Sequence, residues 1–477
     1  MSDNTIFQNI KPQSQPPQVQ TQPIVAAPVV SPLFPPSVKK EPPPSSGFPF
    51  ATLFKVGIGM LLTGIVIFLI IHFAIPYFTK NKNETVTLSY WGLWEGENTM
   101  RVVIADFEKQ NPNIKVTYAK QDIKEYKNRL STRIQNGNGP DIFLFHNTWL
   151  PQVFVFLLPL PTDVIQKNDF EKLFYPVTKS DLIKNGAIYG LPTEIDTLAL
   201  FTNSEIFRQA GSTVPTNWED FGKTARLLTV KDENGNIKTS GAAMGTFDNI
   251  THAPDLISLL LVQNGADLKN LSGTSRSVVD ALDFYTSFAK DERKVWDQTL
   301  DPSLLAFAKG NLAMYFGYSW DVFAIKAINP NLAFKIAPVP HLQGRSMTIA
   351  SYWNNGVSVK STHQKESLLF IKFLSQKETM QKLFSESSKT RLFGEPYPRT
   401  DLTESLKSNE LVYPFVSQAH DATSSFFAGD TFDNGLNAQM NGYLGNAVRS
   451  ILGNTSIDTA VETLIKGVDQ IVKQYGG

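Results

Sequence analysis

Tryptophans beside polar side chains are the residues in this sequence best suited to hold a small polar ligand. Five of the seven tryptophans lie at predicted strand ends or in loops, with polar planar neighbours such as Glu95, Asn147 and Asn354. The five are Trp91, Trp94, Trp149, Trp320 and Trp353. An indole face offers apolar area to the C–H face of a sugar, while carboxylates and amides can hydrogen-bond its hydroxyl groups. The pattern favours carbohydrate binding, and burial of each tryptophan in the core is the structural alternative.

Motifs of known catalytic sites are absent from the sequence. None of the six histidines forms the H-E-x-x-H pattern of zinc hydrolases, and there is no P-loop. Gly317-Tyr318-Ser319-Trp320 begins like the nucleophile elbow of a hydrolase but lacks its closing glycine. Sequence spacing cannot show a catalytic pair of carboxylates, because their separation depends on the fold. We therefore expect no enzyme activity, metal or cofactor, and a surface glycoside hydrolase is the alternative.

The composition excludes several other classes of function. The 477 residues include no cysteine, which excludes disulfides, thiol catalysis, cysteine-ligated zinc and anchoring through an acylated cysteine. Residues 1–82 have a net charge of +4, and the remainder, with 38 basic and 42 acidic residues, has −4. A mildly acidic soluble part without a basic block argues against nucleic acid as a partner.

The sequence around the tryptophans alternates between strand and helix patterns. Val86–Trp91 and Ile114–Tyr118 read as strands, and the helical pattern Glu97–Gln110 lies between them. Strand, helix and strand imply a parallel sheet, to which the apolar run Ile142–Phe145 adds an inner strand. The alternation continues along the chain and predicts an α/β fold. In such sheets ligands bind beyond the carboxyl ends of the strands, where several of the tryptophans lie.

Two local patterns later in the chain predict particular turns. Thr216-Asn217-Trp218-Glu219 is read as a capping box, with the Thr216 side chain on the backbone N–H three residues later. Trp218 is predicted to pack inward at the start of the helix that follows. Asn234-Gly235 is predicted to be a hairpin turn, because Asp232–Lys238 resembles a calcium loop only in part.

The N-terminal region differs from the rest of the chain. Residues 1–50 contain twelve of the 29 prolines, which predicts a disordered tail, either a spacer or a docking segment for proline-binding modules. Val56–Ile75 has twenty residues without Asp, Glu, Lys or Arg, the length of a helix that spans a bilayer. We therefore expect residues 51–79 to form one transmembrane helix. The lysines on its two sides only slightly favour an N-terminus inside the cell.

Five pieces of the soluble part, in this order, resemble the bacterial extracellular solute-binding proteins of the type that includes maltose- and other sugar-binding components of ABC importers. They are VTLSYWGLWEGEN (86–98), NGNGPDIFLFHNTWLPQ (136–152), IYGLPTEIDTLALFTNSEIFRQAGSTVPTNWEDF (188–221), AFAKGNLAMYFGYSWDVF (306–323), and FKIAPVP (334–340) followed by NNGVSVKS (354–361). The resemblance implies two α/β lobes joined by a hinge, with the chain crossing between them at 188–203 and 332–338. Lobe one would comprise 85–193 and 339–385, and lobe two 194–332 and 386–477.

The resemblance also implies which residues face the ligand in the cleft between the lobes. By position they are Trp94, Glu95, Asn147, Trp149, Asp196, Trp320, Trp353 and Asn354. Asp196 is the strongest candidate for accepting a ligand hydroxyl, and a hinge carboxylate that caps local backbone is its alternative. Family members commonly have Gly-Pro where Tyr318-Ser319 precede Trp320, so the backbone there is expected to differ.

The partners and location follow from the same resemblance. The family's usual anchor is a lipidated N-terminal cysteine or a cleaved signal, and residues 56–75 are expected to take that role here. The resemblance implies that the lobes lie outside the cell and the proline-rich tail inside. The receptor would capture a small solute, a mono- or oligosaccharide, and deliver it to the permease subunits of an ABC importer. A sensory receptor that signals through the membrane is the alternative.

Overall fold

The structure is a computed structural model that describes residues 50–74 and 85–475. The chain divides into two units, Met1–Phe78 and Thr79–Gly477. In the first unit, helix α1 runs over Phe50–Leu69 and continues as a π-helical turn, Ile70–Ala74. No helix among the described residues combines the length and the apolar character needed to cross a membrane. The predicted span Val56–Ile75 ends outside the described residues and stays a prediction, as does the tail 1–50, of which only Phe50 is described.

The first sheet of the second unit positions the N-terminal tryptophans. Its strands are β1 (Val86–Gly92), β2 (Ile114–Lys120), β3 (Ile142–His146), β6 (Leu191–Pro192) and β14 (Trp353–Val357). They lie in the order β2-β1-β3-β14-β6. Strands β1, β2 and β3 are parallel, as the strand–helix–strand pattern predicts, and β14 runs antiparallel to β3 with Trp353 opposite His146.

Two further sheets complete the frame of this unit. The second sheet consists of β8 (Ala199–Asn203), β11 (Met314–Gly317) and β12 (Phe334–Ala337) in the order β11-β8-β12, and both pairings are antiparallel. A small sheet, which we call the hinge sheet, consists of β7 (Asp196–Thr197), β13 (Thr348–Ser351) and β15 (Ala422–Thr423). Short hairpins are formed by β4 (Ile183–Lys184) with β5 (Ala187–Ile188) and by β9 (Val230–Lys231) with β10 (Ile237–Thr239).

Helices cover the sheets. They are α2 (Glu97–Gln110), α3 (Tyr126–Gln135), α4 (Leu150–Val153), α5 (Lys167–Leu173), α6 (Pro176–Leu182), α7 (Ser204–Ala210), α8 (Trp218–Leu227), α9 (Ala253–Gln263), α10 (Ser275–Thr286), α11 (Ser303–Ala308), α12 (Asp321–Ile328), α13 (Gln364–Leu374), α14 (Lys377–Ser387), α15 (Tyr413–Ser417), α16 (Leu436–Leu452) and α17 (Ile457–Gln474). Helix α2 buries Met100, Val103, Ile104 and Phe107 on one face. The Phe107 ring meets the edge of the Phe370 ring on α13 at 4.9 Å.

The strand pairings show where the chain passes between the two main sheets. The first passage leaves β6 in the first sheet and enters β8 in the second, within the predicted crossing 188–203. The predicted second crossing at 332–338 is wrong, because β12 pairs with β8 inside the second sheet. The chain returns to the first sheet between β12 and β14, by way of β13. The predicted lobe limits stay predictions.

Three local expectations can be compared with the structure. The predicted cap of helix α8 is wrong by one residue, because Asn217, not Thr216, accepts the backbone N–H of Asp220 at 2.9 Å. The Asn234-Gly235 turn is confirmed between β9 and β10, with Gly235 at a φ of 84° that glycine adopts without strain. Trp218 is buried as predicted, and its indole N–H donates to Gln263.

Candidate functional site

One edge of the first sheet gathers three of the predicted tryptophans. Trp94 and Trp149 follow the carboxyl ends of the parallel strands β1 and β3, and Trp353 begins the antiparallel strand β14. These ends coincide at one edge, so the Trp353 ring lies between the others, 5.4 Å from Trp94 and 5.0 Å from Trp149. The rings meet edge to face, which is a favoured arrangement for aromatic pairs. Trp149 and Trp353 are buried, whereas Trp94 is half-buried.

A neutral histidine supports this aromatic cluster. His146 packs its ring against Trp353 at 5.2 Å and places its ring nitrogens 2.8 Å from the Thr148 hydroxyl and 3.0 Å from the Ser351 hydroxyl. Burial lowers the pKa of His146 to about 3, so the ring carries no charge at neutral pH. The Thr148 hydroxyl in turn donates to Asn437 at 2.8 Å. The histidine therefore acts as a link in a hydrogen-bonded frame.

Glu95 is committed to contacts with the protein. One carboxylate oxygen accepts the guanidinium of Arg391 at 2.8 Å, and the other accepts the Ser387 hydroxyl at 2.7 Å. Burial and repulsion from Glu395 raise the pKa of Glu95, and Arg391 opposes them. The cavity beside Trp94 and Glu95 has a volume of only about 40 Å³. It has room for water, since one molecule needs about 10–15 Å³, but not for a sugar.

Asp196 lies at the hinge with both carboxylate oxygens occupied. Its Oδ1 accepts the N–H of Thr197 at 2.8 Å, and its Oδ2 accepts both the N–H of Ser319, at 2.9 Å, and the Ser319 hydroxyl. Asp196 is buried, and burial raises its pKa well above the usual range despite these bonds. With this geometry, Asp196 joins the hinge sheet to the turn after β11. It agrees with the alternative role for Asp196, a hinge carboxylate that caps local backbone.

The same turn explains the residues in front of Trp320. The Tyr318 ring stacks on Trp320 at 4.4 Å and 15°, and Ser319 supplies the two donors for Asp196. His252 stands at right angles to Tyr318 at 5.1 Å. Burial would lower the pKa of His252, but the carboxylates of Asp321, Asp430 and Asp255 raise it to about 9. A charged network thus supports the stacked pair, and Trp320 itself is only half-buried.

Asn354 lies inside the first sheet. Its side chain is completely buried in the first sheet, where Nδ2 donates to the carbonyl of Phe145 at 3.4 Å. Its Oδ1 has no hydrogen-bond partner among the described residues.

A cavity of about 410 Å³ lies beside the hinge sheet. One wall comes from the segment after β3 and the end of α6, and it includes Asn147 and Asp181. The opposite wall comes from the end of α9 and the segment after β15, and it includes Ser424 and Ser425. Hydroxyl, amide and carboxylate groups line it together with apolar side chains. Of the eight residues predicted to face the ligand, only Asn147 lines this cavity.

Asp181 is the residue of this cavity that the sequence analysis missed. Its Oδ2 accepts Asn147 Nδ2 at 3.0 Å, the Tyr352 hydroxyl at 2.7 Å, and the Ser424 hydroxyl. Burial raises the pKa of Asp181, and these three hydrogen bonds oppose the rise. Asp181 lies in the last turn of α6, where the helix dipole disfavours a carboxylate. That unfavourable position is the one signal in the sequence that could have indicated it.

Comparison with known proteins supports the two-lobed fold. Residues 103–391 match the family model described as "Bacterial extracellular solute-binding protein". The "Multiple sugar-binding protein" of Streptococcus mutans serotype c (strain ATCC 700610 / UA159) is 23% identical over 386 residues, which cover 74% of this chain and 87% of that protein. A cyclo/maltodextrin-binding protein complexed with maltotetraose superposes with a TM-score of 0.68 at 18% identity, covering 82% of this chain and 98% of that chain. The sugar-binding protein MalE from Xanthomonas citri gives a TM-score of 0.67 at 21% identity, with coverage of 82% and 98%. The chain belongs to the bacterial extracellular solute-binding protein family.

Proposed function

We propose that this protein is the solute receptor of an ABC importer and that it binds a mono- or short oligosaccharide in the cavity beside the hinge sheet. The observation that carries the proposal is that polar side chains from two opposite walls converge on one cavity of about 410 Å³. This volume lies near the lower end of the about 300–1,000 Å³ of small-molecule pockets, which favours a short ligand.

The chemistry of the cavity and the similar proteins both point to sugars. Serine, threonine, asparagine and aspartate side chains can bind hydroxyl groups, and the apolar part of the lining suits the C–H face of a sugar ring. The names of similar proteins mention multiple sugars, maltotetraose and α-D-tagatose. No reaction is proposed for the site, so a bound sugar should be recovered unchanged.

Thermal unfolding of the purified full chain against a panel of solutes tests the proposal. The panel contains maltose, maltotetraose, D-tagatose, mannobiose, polyols, amino acids and short peptides. A ligand at a hundred times its Kd stabilises the folded state by about 2.7 kcal/mol, which raises the Tm of some 390 residues by about 3 °C. A shift with sugars alone supports the proposal. A shift with amino acids or peptides alone contradicts the sugar assignment.

A matched pair of substitutions locates the binding site. Ser180 and Ser385 are both exposed on helices, but only Ser180 lines the cavity. Ser180→Trp places an indole in the cavity and should abolish the ligand-induced shift, whereas Ser385→Trp should preserve it. Equal shifts in the two variants would place the ligand elsewhere.

We further propose that residues 56–75 tether the receptor in the membrane and keep it close to its permease. The support is the sequence, twenty residues without a charged side chain. A tether raises the effective concentration of the receptor at the permease. The full chain should sediment with membranes after a carbonate wash, and a version that starts at residue 79 should not. Release of both forms by the wash would contradict the tether.

A further inference from the structure

The two carboxylate oxygens of Asp181 have different surroundings. All three hydrogen bonds to this side chain, from Asn147, Tyr352 and Ser424, reach Oδ2. Among the described residues, no donor reaches Oδ1. Asp181 lines the cavity and is only partly buried, so Oδ1 has an unused capacity to accept a hydrogen bond on the cavity side.

The bond to Ser424 crosses from one wall of the cavity to the other. Asp181 lies in the last turn of helix α6, on the wall that the segment after β3 and the end of α6 form. Ser424 belongs to the opposite wall, because the next residue, Ser425, meets Ser258 of helix α9 at 2.8 Å. Helix α9 in turn meets helix α8 through Gln263, which accepts the indole N–H of Trp218, and the Trp218 ring packs against Phe316 of the second sheet at 5.8 Å. Oδ2 of Asp181 thus connects the two lobes.

Asn147 and Tyr352 fix the direction of the carboxylate. Both polar atoms of the Asn147 amide bind other protein groups. Its Nδ2 donates to Asp181 and Ser424, and its Oδ1 accepts the backbone N–H of Tyr352 at 3.2 Å. The Tyr352 hydroxyl donates to Asp181 at 2.7 Å. Asn147, predicted from the sequence to face the ligand, therefore acts here as a positioning residue for Asp181.

We propose that Asp181 recognises the ligand through Oδ1 while Oδ2 holds the lobes together, so that one carboxylate serves both capture and closure. The inference rests on the proposed function and names its ligand class, a neutral sugar that donates a hydroxyl hydrogen bond. A carboxylate oxygen facing the cavity disfavours an anionic ligand. The charged residues lining the cavity, Asp181, Asp267, Lys184 and Lys269, sum to zero, which suits a neutral ligand.

The substitution Asp181→Asn gives a sharp test in the full chain. An asparagine can keep its carbonyl oxygen toward the three donors, and its NH₂ group then replaces Oδ1, so that an acceptor facing the cavity becomes a donor. Isothermal titration uses the panel sugar that gives the largest shift with the wild type. We expect the affinity of Asp181→Asn to fall about 10- to 150-fold, the range for a hydrogen bond to a charged group. Asp163→Asn, the same charge change on an exposed residue outside the cavity, should stay within about threefold.

Two further measurements separate capture from closure. Ser424→Ala removes the bond between the lobes but leaves Oδ1 in place, so it should enlarge the ligand-free radius of gyration in X-ray scattering and weaken binding by less than Asp181→Asn. The wild type should also reject the uronate of the same sugar, and Asp181→Asn should reject it less.

The outcomes distinguish this inference from the proposed function. Wild-type affinity in a folded Asp181→Asn variant overturns the inference and leaves the sugar receptor intact. Equal losses in Asp181→Asn and Asp163→Asn also overturn it, because the effect would then be one of charge alone. Binding of no panel sugar by the wild type overturns both proposals.

Discussion

Replacing Asp196 by alanine distinguishes a carboxylate that holds the hinge from one that binds the ligand. The side chain is only 2% exposed. It accepts the backbone N–H groups of Thr197 at 2.8 Å and of Ser319 at 2.9 Å. In this way it connects β7 of the hinge sheet to the turn that follows β11 of the second sheet. The sequence alone favoured ligand binding, whereas this geometry predicts a loss of stability.

The expected loss of unfolding free energy in Asp196→Ala follows from the hydrogen-bond donors that the substitution leaves without an acceptor. Two buried backbone N–H groups lose their acceptor, and each unsatisfied buried donor costs about 1–3 kcal/mol. The Ser319 hydroxyl, which is also buried, loses the same acceptor. Part of the loss is returned, because a buried carboxylate is itself unfavourable, as its raised pKa indicates. We therefore expect Asp196→Ala to lower the free energy of unfolding by about 2–4 kcal/mol.

Unfolding of the ligand-free full chain measures this loss. For some 390 folded residues, 1 kcal/mol corresponds to about 1 °C, so the Tm should fall by about 2–5 °C. Asp196→Asn keeps one oxygen acceptor and serves as the control, with a loss less than half as large. A variant with wild-type Tm that no longer binds the panel sugar would refute the reasoning and make Asp196 the ligand acceptor.

Three other predictions concern a charged network and two helix caps. The pKa of His252 is about 9 in the folded state against an unfolded value of 6.5, so its stabilising effect is complete below pH 6.5 and is lost as the pH rises through 9. The wild type should therefore lose up to about 3 kcal/mol of unfolding free energy between pH 6.5 and 9, and urea titrations of His252→Gln should show a flatter profile. Asn217→Ala should lower the free energy of unfolding by about 1 kcal/mol in the same assay, because Asn217 caps α8, while Thr216→Ala should be nearly neutral. A larger loss in Thr216→Ala than in Asn217→Ala would support the predicted capping box instead. Asp433→Ala should cost about 1–2 kcal/mol, since its carboxylate accepts backbone N–H groups of Gly435, Asn437 and Ala438 at the start of α16, and Asp433→Asn should recover part of this loss.

Local patterns in the sequence predicted the three parallel strands of the first sheet. The alternation in Val86–Trp91 and the apolar run Ile142–Phe145 correspond to β1 and β3, because strand periodicity and burial are properties of a few neighbouring residues. The rule that parallel strands end at one edge then placed Trp94 and Trp149 together. Local patterns could not predict the pairing of the antiparallel second sheet, because β8 pairs with β11 and β12, which lie more than a hundred residues later in the chain.

Hydrogen-bond partners distant in the chain explain why the site residues were harder to predict. Asp196 meets Ser319 across 123 residues, and Asp181 meets Ser424 across 243 residues. A resemblance between sequences marks the position of a carboxylate but not the donors that surround it in the fold. The same limit applies to Glu95, because its partner Arg391 lies 296 residues away.

The remaining hydrogen-bonding capacity of each side chain decides which of these residues can bind a ligand. A carboxylate has two oxygens and can accept about four hydrogen bonds, but donors already placed by the fold use part of that capacity. In Asp196 each carboxylate oxygen accepts a backbone N–H group at the hinge, Oδ1 from Thr197 and Oδ2 from Ser319. In Asp181 three donors reach one oxygen, and no donor from residues 50–74 or 85–475 reaches the other, which lies beside a cavity of ligand size. Because a ligand can use only what the protein leaves unused, the acceptor belongs at Asp181, and Asp196 belongs to the frame that brings the lobes together around it.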